Sequence, residues 1–173
     1  MKNIILTGIM GSGKSTAALL LKNIFPDFEL IETDKLIEEK EGLSINEIFQ
    51  KKGEGYFREI EKNTVREILK NENQIISLGG GSLENDFNFE LSKLNSIMFY
   101  LSANVEILYE RIKNNTERPL LKCENPKQKL KDLLEVREEN YKKANYIIDV
   151  NNLSPNEVAQ KITEIYYGKT RTN

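Results

Sequence analysis

Short apolar runs alternate along the chain with longer stretches in which apolar residues return every three or four positions. Asn3–Thr7 (NIILT), Glu29–Thr33 (ELIET), Gln74–Leu78 (QIISL), Ser96–Leu101 (SIMFYL) and Tyr146–Val150 (YIIDV) have the length and composition of strands. Most are nearly continuous rather than alternating, which is the pattern of parallel strands covered on both faces. Helical periodicity fills the intervals: STAALLLKNI after the first strand, a long charged stretch over Glu54–Lys70, then Val105–Lys113 and Gln128–Lys142. Ser44 and Glu47 form a capping box ahead of INEIFQKK. Ser154-Pro155-Asn156-Glu157 forms a second box with proline at the first helical position, and Gly168 is the expected stop, leaving KTRTN as a frayed tail. Strands alternating with helices predict βαβ units and a parallel sheet, an α/β fold. No internal repeat or long linker interrupts the pattern, so the expectation is one domain over residues 1–173. Asn114–Pro126 (NNTERPLLKCENP) is the one long polar connection carrying prolines, which makes residues 113–126 a candidate lid.

Composition narrows the chemistry. The 173 residues include 25 basic and 27 acidic side chains, for a formal net charge of −2. Such a balance gives no global field to gather nucleic acid or coat an anionic membrane, so any bound anion needs a local constellation. Cys123 is the only cysteine and histidine is absent. That excludes an intrachain disulfide, a cysteine zinc cluster and a histidine general base. The opening MKNIILTG begins a strand without signal-peptide architecture, and no apolar run approaches the roughly 20 residues of a bilayer crossing. A soluble, cytoplasmic protein with no nucleic-acid or membrane partner is expected.

Gly8–Ser15 reads GIMGSGKS, a full match to G-x-x-x-x-G-K-[ST] placed directly after a strand and directly before a helix. Its glycines let successive backbone N–H groups converge on phosphate oxygens, and the helix start adds a positive dipole end. Gly11, Ser12, Gly13, Lys14, Ser15 and Thr16 are therefore the expected nucleotide-binding run. Lys14 would reach the β- and γ-phosphates and the Ser15 hydroxyl would hold Mg²⁺. The bland alternative is a tight glycine turn between strand and helix, which the complete motif in this context disfavours. No N-K-x-D guanine loop is present, and no hydrophobic run ends in Asp-Glu as in motor ATPases. Size and lid point to a small-molecule kinase using a nucleoside triphosphate.

A second feature demands explanation. Ile75–Ser82 reads IISLGGGS, and each glycine placed in an ordered element loses roughly 0.5–1 kcal/mol relative to alanine. A simple turn would be satisfied with one. Thr33-Asp34 closes the second predicted strand, at the end of a parallel sheet where ligands sit. Asp34 there either accepts a proton from a substrate hydroxyl or caps the following helix, and position alone does not choose. Arg58, Arg118 and Arg137 carry planar forks suited to carboxylate or phosphate, although isolated arginines are usually solvated. Glu61 lies three positions after Arg58, close enough on a helix for an ion pair.

Taken together and in order, GxxGxGKS, TDKLIE, GEGYFREIE, SLGGGS, NTERPLL and a late R-x-x-x-Y helix resemble the shikimate kinase family from about Lys2 to Pro155. The resemblance implies a three-layer P-loop kinase fold, with a five-stranded parallel sheet in order 2-3-1-4-5 between helices. It implies transfer of the γ-phosphoryl of ATP to the 3-hydroxyl of shikimate on the route to chorismate, with Mg²⁺, by a monomer. Within an acceptor region over about 33–61, Asp34 would orient the hydroxyl and take its proton. Arg58 and Arg137 would bind the shikimate carboxylate beside Gly79, Gly80 and Gly81, and Glu61 would orient Arg58. Arg118 in the lid would offset the charge of the transferring phosphoryl. Arg111 would lie against adenine, flanked by Asn151–Pro155.

Two departures stand out. The family usually carries Asp-x-Asp where this chain has Glu32-Thr33-Asp34, so the longer Glu32 must fold back to serve Mg²⁺ through water. The loop VNNLSP lacks the arginine common at the adenine site. The rivals are a gluconate or nucleoside monophosphate kinase, and a nucleotide-binding regulator without catalysis. The first would differ in its acceptor; the second would lack Asp34 or the lid arginine.

Overall fold

The computed structural model describes residues 1–114 and 123–170. Strands β1 (Asn3–Thr7), β2 (Glu29–Glu32), β3 (Gln74–Ser77), β4 (Ser96–Ser102) and β5 (Tyr146–Asp149) form one sheet in the order β2-β3-β1-β4-β5. Every pairing is parallel, with Ile5 of β1 opposite Ile76 of β3 and Met98 of β4. The expected order and fold class are thus observed. All residues of β1 and β3 are buried, which is why their sequences read as unbroken apolar runs bounded by polar ends.

Helices α1 (Lys14–Ile24), α2 (Thr33–Glu41), α3 (Ile45–Ile68), α4 (Asp86–Asn95), α5 (Val105–Ile112), α6 (Pro126–Lys142) and α7 (Pro155–Thr170) surround the sheet. The main core gathers Ile4, Ile5, Leu6, Ile75, Ile76 and Phe99 with the inner faces of these helices. Phe25 and Phe28 beyond α1 meet Tyr166 of α7 edge-on at 5.4 and 6.1 Å, and the Tyr166 hydroxyl donates to the Lys2 carbonyl at 2.6 Å. A smaller cluster of Ile37, Ile48 and Phe57 lies between α2 and α3, with Phe49 and Phe57 rings 4.9 Å apart. That cluster sets the position of Arg58, the next residue along α3. Among the described residues no helix is long and apolar enough to cross a membrane.

Several expectations require correction. Gly168 does not stop α7, which runs on to Thr170, where the Thr170 hydroxyl donates to the Tyr166 carbonyl at 3.1 Å. The burial of Tyr166 anchors this turn and outweighs the helix cost of one glycine. The stretches INEIFQKK and Glu54–Lys70 form one element, α3, kinked at Gly53 (φ 83°, ψ 166°), a conformation glycine adopts without Cβ strain. Its capping box is present as read, with Glu47 held at a pKa of about 2 by the Ser44 backbone N–H and hydroxyl. Helix α6 starts at Pro126, two positions before the expected Gln128 and capped by Asn125, while α4 is an element the sequence reading did not assign. Asp34 is not a cap either. Helix α2 begins at Thr33 with Glu32 in the cap position, so Asp34 sits inside the first turn, where the helix dipole favours its charge.

Parallel pairing brings the carboxyl ends of β1, β2 and β3 to one edge of the sheet. The glycine-rich loop, Thr33-Asp34 and Gly79–Gly81 follow directly from those three ends.

Candidate active site

The loop leaving β1 turns on Gly8 (φ 137°), Gly11 (φ 84°) and Gly13 (φ 94°), all in the region that disfavours a side chain. Gly8 and Gly11 are also closely covered. A Cβ at Gly8 would sit 2.8 Å from the Leu101 carbonyl oxygen, and one at Gly11 would sit 2.8 Å from that of Leu108. Gly13 occupies the N-cap of α1 with open space where its Cβ would point, so the helix start is bare. Lys14 Nζ bends back across the loop to the carbonyls of Gly8 (2.7 Å) and Ile9 (3.2 Å). Ser12 is buried, while Ser15 and Thr16 are exposed on the first turn of α1. Arg111 of α5 donates to the Gly11 carbonyl at 3.3 Å and to the Val150 carbonyl at 3.1 Å. It thereby links the loop to the segment after β5, where Asn151 accepts from the Asn104 N–H at 2.8 Å.

Glu32 ends β2. Partial burial pushes its carboxyl up, but hydrogen bonds from Lys35 and Ser15, with the Lys35 charge, bring it below the ordinary carboxylate value. Ser15 and a charged Glu32 therefore stand side by side. Among the described residues no group of three or more acidic, histidine or cysteine side chains could hold a metal alone.

The three glycines after β3 each face a different functional group. A Cβ at Gly79 would lie 2.5 Å from Asp34 Oδ1 and 2.8 Å from Glu61 Oε1. At Gly80 it would lie 3.5 Å from both Arg137 Nη1 and the Tyr141 hydroxyl, and 3.8 Å from the Gly8 carbonyl oxygen that receives Lys14. At Gly81 it would collide with the Arg58 guanidinium. The repeated glycine is thus explained: the strand end is stripped so that an aspartate and two arginines can close around it.

Each of those groups is braced. Thr33, fully buried, accepts from the Gly79 N–H at 2.8 Å and donates to the Ser77 carbonyl at 3.3 Å, tying the end of β2 to the shelf. Arg58 donates to Glu61 at 2.8 Å and to Glu54 at 3.1 Å. Burial works against the Arg58 charge, but the carboxylates of Glu61, Glu54 and Glu84 outweigh it and hold the guanidinium charged. Burial raises the pKa of Glu61, opposed by the Ser82 hydroxyl at 2.6 Å and by Arg58, and raised further by Asp34. Arg137, on α6, is buried and donates from Nε to Glu84. One turn later Tyr141 hydrogen-bonds the Gly80 carbonyl, packs its ring 5.1 Å from that of Tyr100, and has its hydroxyl pKa raised by burial.

The structure brings Lys14, Asp34, Arg58, Glu61, Gly79, Gly80, Gly81 and Arg137 together, with Ser15, Glu32 and Arg111 on the side of the glycine-rich loop. Arg118 lies outside the described residues. Ser82 and Glu84 were not picked out from sequence, and Thr33 was placed at the strand end without a role; Tyr141 left a signal, four positions after Arg137 in the R-x-x-x-Y pattern.

Comparisons with known proteins bear on what this site does. A family model described as shikimate kinase matches residues 10–166. The chain is 40% identical over 166 residues to a shikimate kinase from Thermodesulfovibrio yellowstonii, across 96% of this chain and 95% of that relative. It is also 40% identical over 166 residues to a shikimate kinase from Caldanaerobacter subterraneus, across 96% of each. Among solved structures, shikimate kinase from Acinetobacter baumannii in complex with shikimate superposes with a TM-score of 0.93 at 36% identity, covering 98% of this chain and 94% of that one.

Proposed function

The chain belongs to the shikimate kinase family, and from that premise we propose how its cleft carries out ATP-dependent phosphorylation of shikimate. One observation carries the reading: Gly79, Gly80 and Gly81 each abut a different one of Asp34, Arg137 and Arg58, and the middle glycine also neighbours the Gly8 carbonyl that receives Lys14. An acceptor on that shelf has a carboxylate-binding arginine pair at one end and the nucleotide loop at the other.

Loop amides of Gly11, Ser12 and Gly13, with Lys14, Ser15 and Thr16, bind the phosphates of ATP at the start of α1. Arg111, already fastened to the loop and to Val150, lies against adenine together with Asn151–Pro155. Shikimate rests on Gly79–Gly81 with its carboxylate between Arg58 and Arg137. Asp34, on the first turn of α2, receives the 3-hydroxyl and its proton. The transition state for phosphoryl transfer is loose, so catalysis depends mainly on positioning and on offsetting charge. Lys14 supplies part of that charge, and Arg118, on the strength of the family resemblance, supplies more.

Magnesium fits the residues present, because Ser15 adjoins a Glu32 that is held ionised and, among the described residues, no protein cage competes for the ion. Ser15 would hold it directly and Glu32 through water, and it would neutralise phosphate charge. A monomer suffices for this scheme, since every group named belongs to one chain.

ADP release measured with Mg-ATP against shikimate, gluconate and nucleoside monophosphates tests the acceptor. Turnover with shikimate alone is expected; preference for gluconate would reassign the arginine pair. Arg58→Ala is expected to raise the shikimate KM about 10- to 100-fold, the worth of a lost charge-assisted contact, with the ATP KM near parental. An unmoved shikimate KM would misplace the pocket.

A further inference from the structure

The 3₁₀ turn Ser82–Glu84 grows directly out of the glycine shelf. The Ser82 N–H donates to the Gly79 carbonyl at 3.1 Å and the Glu84 N–H to that of Gly81 at 3.0 Å. Its two polar side chains run to the two arginines. Ser82 holds Glu61, which in turn holds Arg58. Glu84 holds Arg137 through Nε, 53 positions away, with Arg137 buried and Glu84 exposed. A buried guanidinium requires a counter-charge, and Glu84 provides it. The point of contact also has a geometric consequence. A guanidinium is planar, so fixing Nε leaves its Nη end to define the approach of a carboxylate, and Arg137 Nη1 already faces Gly80.

We propose that Glu84 is a positioning residue, which grips Arg137 by Nε and thereby aims its Nη end at the acceptor carboxylate over Gly80. This rests on the pocket assigned above. Glu84 is to Arg137 what Glu61 is to Arg58, although Arg58 also has Glu54, and one short turn connects to both braces. The alternative geometry is an intramolecular competitor, in which the Glu84 carboxylate occupies the arginine pair until the substrate displaces it. The two differ in sign. Nε is the edge a bidentate carboxylate leaves free when it docks on the two Nη atoms, which favours bracing over competition.

The test is a kinetic series on the full chain. Glu84→Ala is expected to raise the shikimate KM about tenfold, roughly one charge-assisted hydrogen bond, with kcat and the ATP KM within about twofold of parental. Glu84→Gln keeps an acceptor for the Nε–H and is expected to recover part of that loss. In an Arg137→Ala background, Glu84→Ala is expected to lose most of its effect on the shikimate KM, leaving only the smaller contribution of its charge to Arg58, because its main effect passes through Arg137. A lower or unchanged KM in Glu84→Ala overturns the proposal, as does a full effect that persists without Arg137. If Arg137→Ala alone leaves the shikimate KM unmoved, the pocket itself has failed rather than its brace. An unchanged ATP KM across the series serves as the control for folding.

Discussion

Asp34→Asn is expected to lower kcat by roughly 10²–10⁴-fold, the range for a lost proton acceptor and the role proposed for Asp34, with the ATP KM and melting temperature near parental. The substitution is isosteric, so the new amide takes the place of the Asp34 carboxylate in the first turn of α2, against the bare backbone of Gly79. What disappears is the negative charge and with it the capacity to take the hydroxyl proton. A loose transition state asks for little help from a base until late, which places the expected loss toward the lower half of the range. A further consequence follows next door. The Asp34 charge is one of the causes that raise the Glu61 pKa, so its removal lets Glu61 ionise at lower pH. Because a charged Glu61 holds Arg58, the shikimate KM of the variant should resist acid better than that of the parent. Steady-state kinetics across pH check both statements. A kcat within a few-fold of parental would reduce Asp34 to a residue that merely favours the helix dipole.

Legibility from sequence followed the distance over which the physics acts. The phosphate loop is contiguous, so its glycines, lysine and serine were visible at once, and buried parallel strands announced themselves as unbroken apolar runs. Strand ends moved by one residue at most. Helix α4 escaped because Asp86–Asn95 is short and only Phe89 among its apolar residues is fully committed to the core. Gly168 misled because its local helix cost is smaller than the burial of Tyr166 two residues before it. The proposed acceptor pocket was legible only as scattered residue types. Its groups meet through contacts spanning 46 positions for Thr33 and Gly79, 53 for Arg137 and Glu84, and 61 for Tyr141 and Gly80. No local period encodes such pairings. The glycines and arginines stood out as residues and the family resemblance supplied their roles, but the side chains that hold them in place, Ser82 and Glu84 above all, emerge only once β3 and α6 are packed together.

Gly79→Ala is expected to carry the second large effect, a fall of about 10²-fold in kcat/KM for shikimate, because displacing reacting groups by about an ångström has consequences of that size. The backbone of Gly79 lies outside the left-handed region, so alanine adopts it without torsional strain. The added methyl instead meets Asp34 Oδ1 at 2.5 Å, Glu61 Oε1 at 2.8 Å and the Ser82 hydroxyl at 3.2 Å. These are side-chain ends and they yield before the sheet does. Asp34 is then expected to swing away from its place beside Gly79, and Glu61 cannot move without disturbing Arg58. Stability should therefore change little beyond the roughly 1–3 kcal/mol of an overpacked site. Gly11→Ala behaves differently: its methyl would strike the Leu108 carbonyl oxygen at 2.8 Å from a backbone with φ 84°, so it should lose melting temperature and activity together. Gly80→Ala meets nothing closer than 3.5 Å, so it should fold normally and show its defect as a raised shikimate KM, the methyl intruding where the ring rests. Thermal melts paired with kinetics on the three variants separate these outcomes. If Gly79→Ala kept parental kcat/KM, the bare strand end would be only a turn, and the acceptor would have to bind away from Asp34.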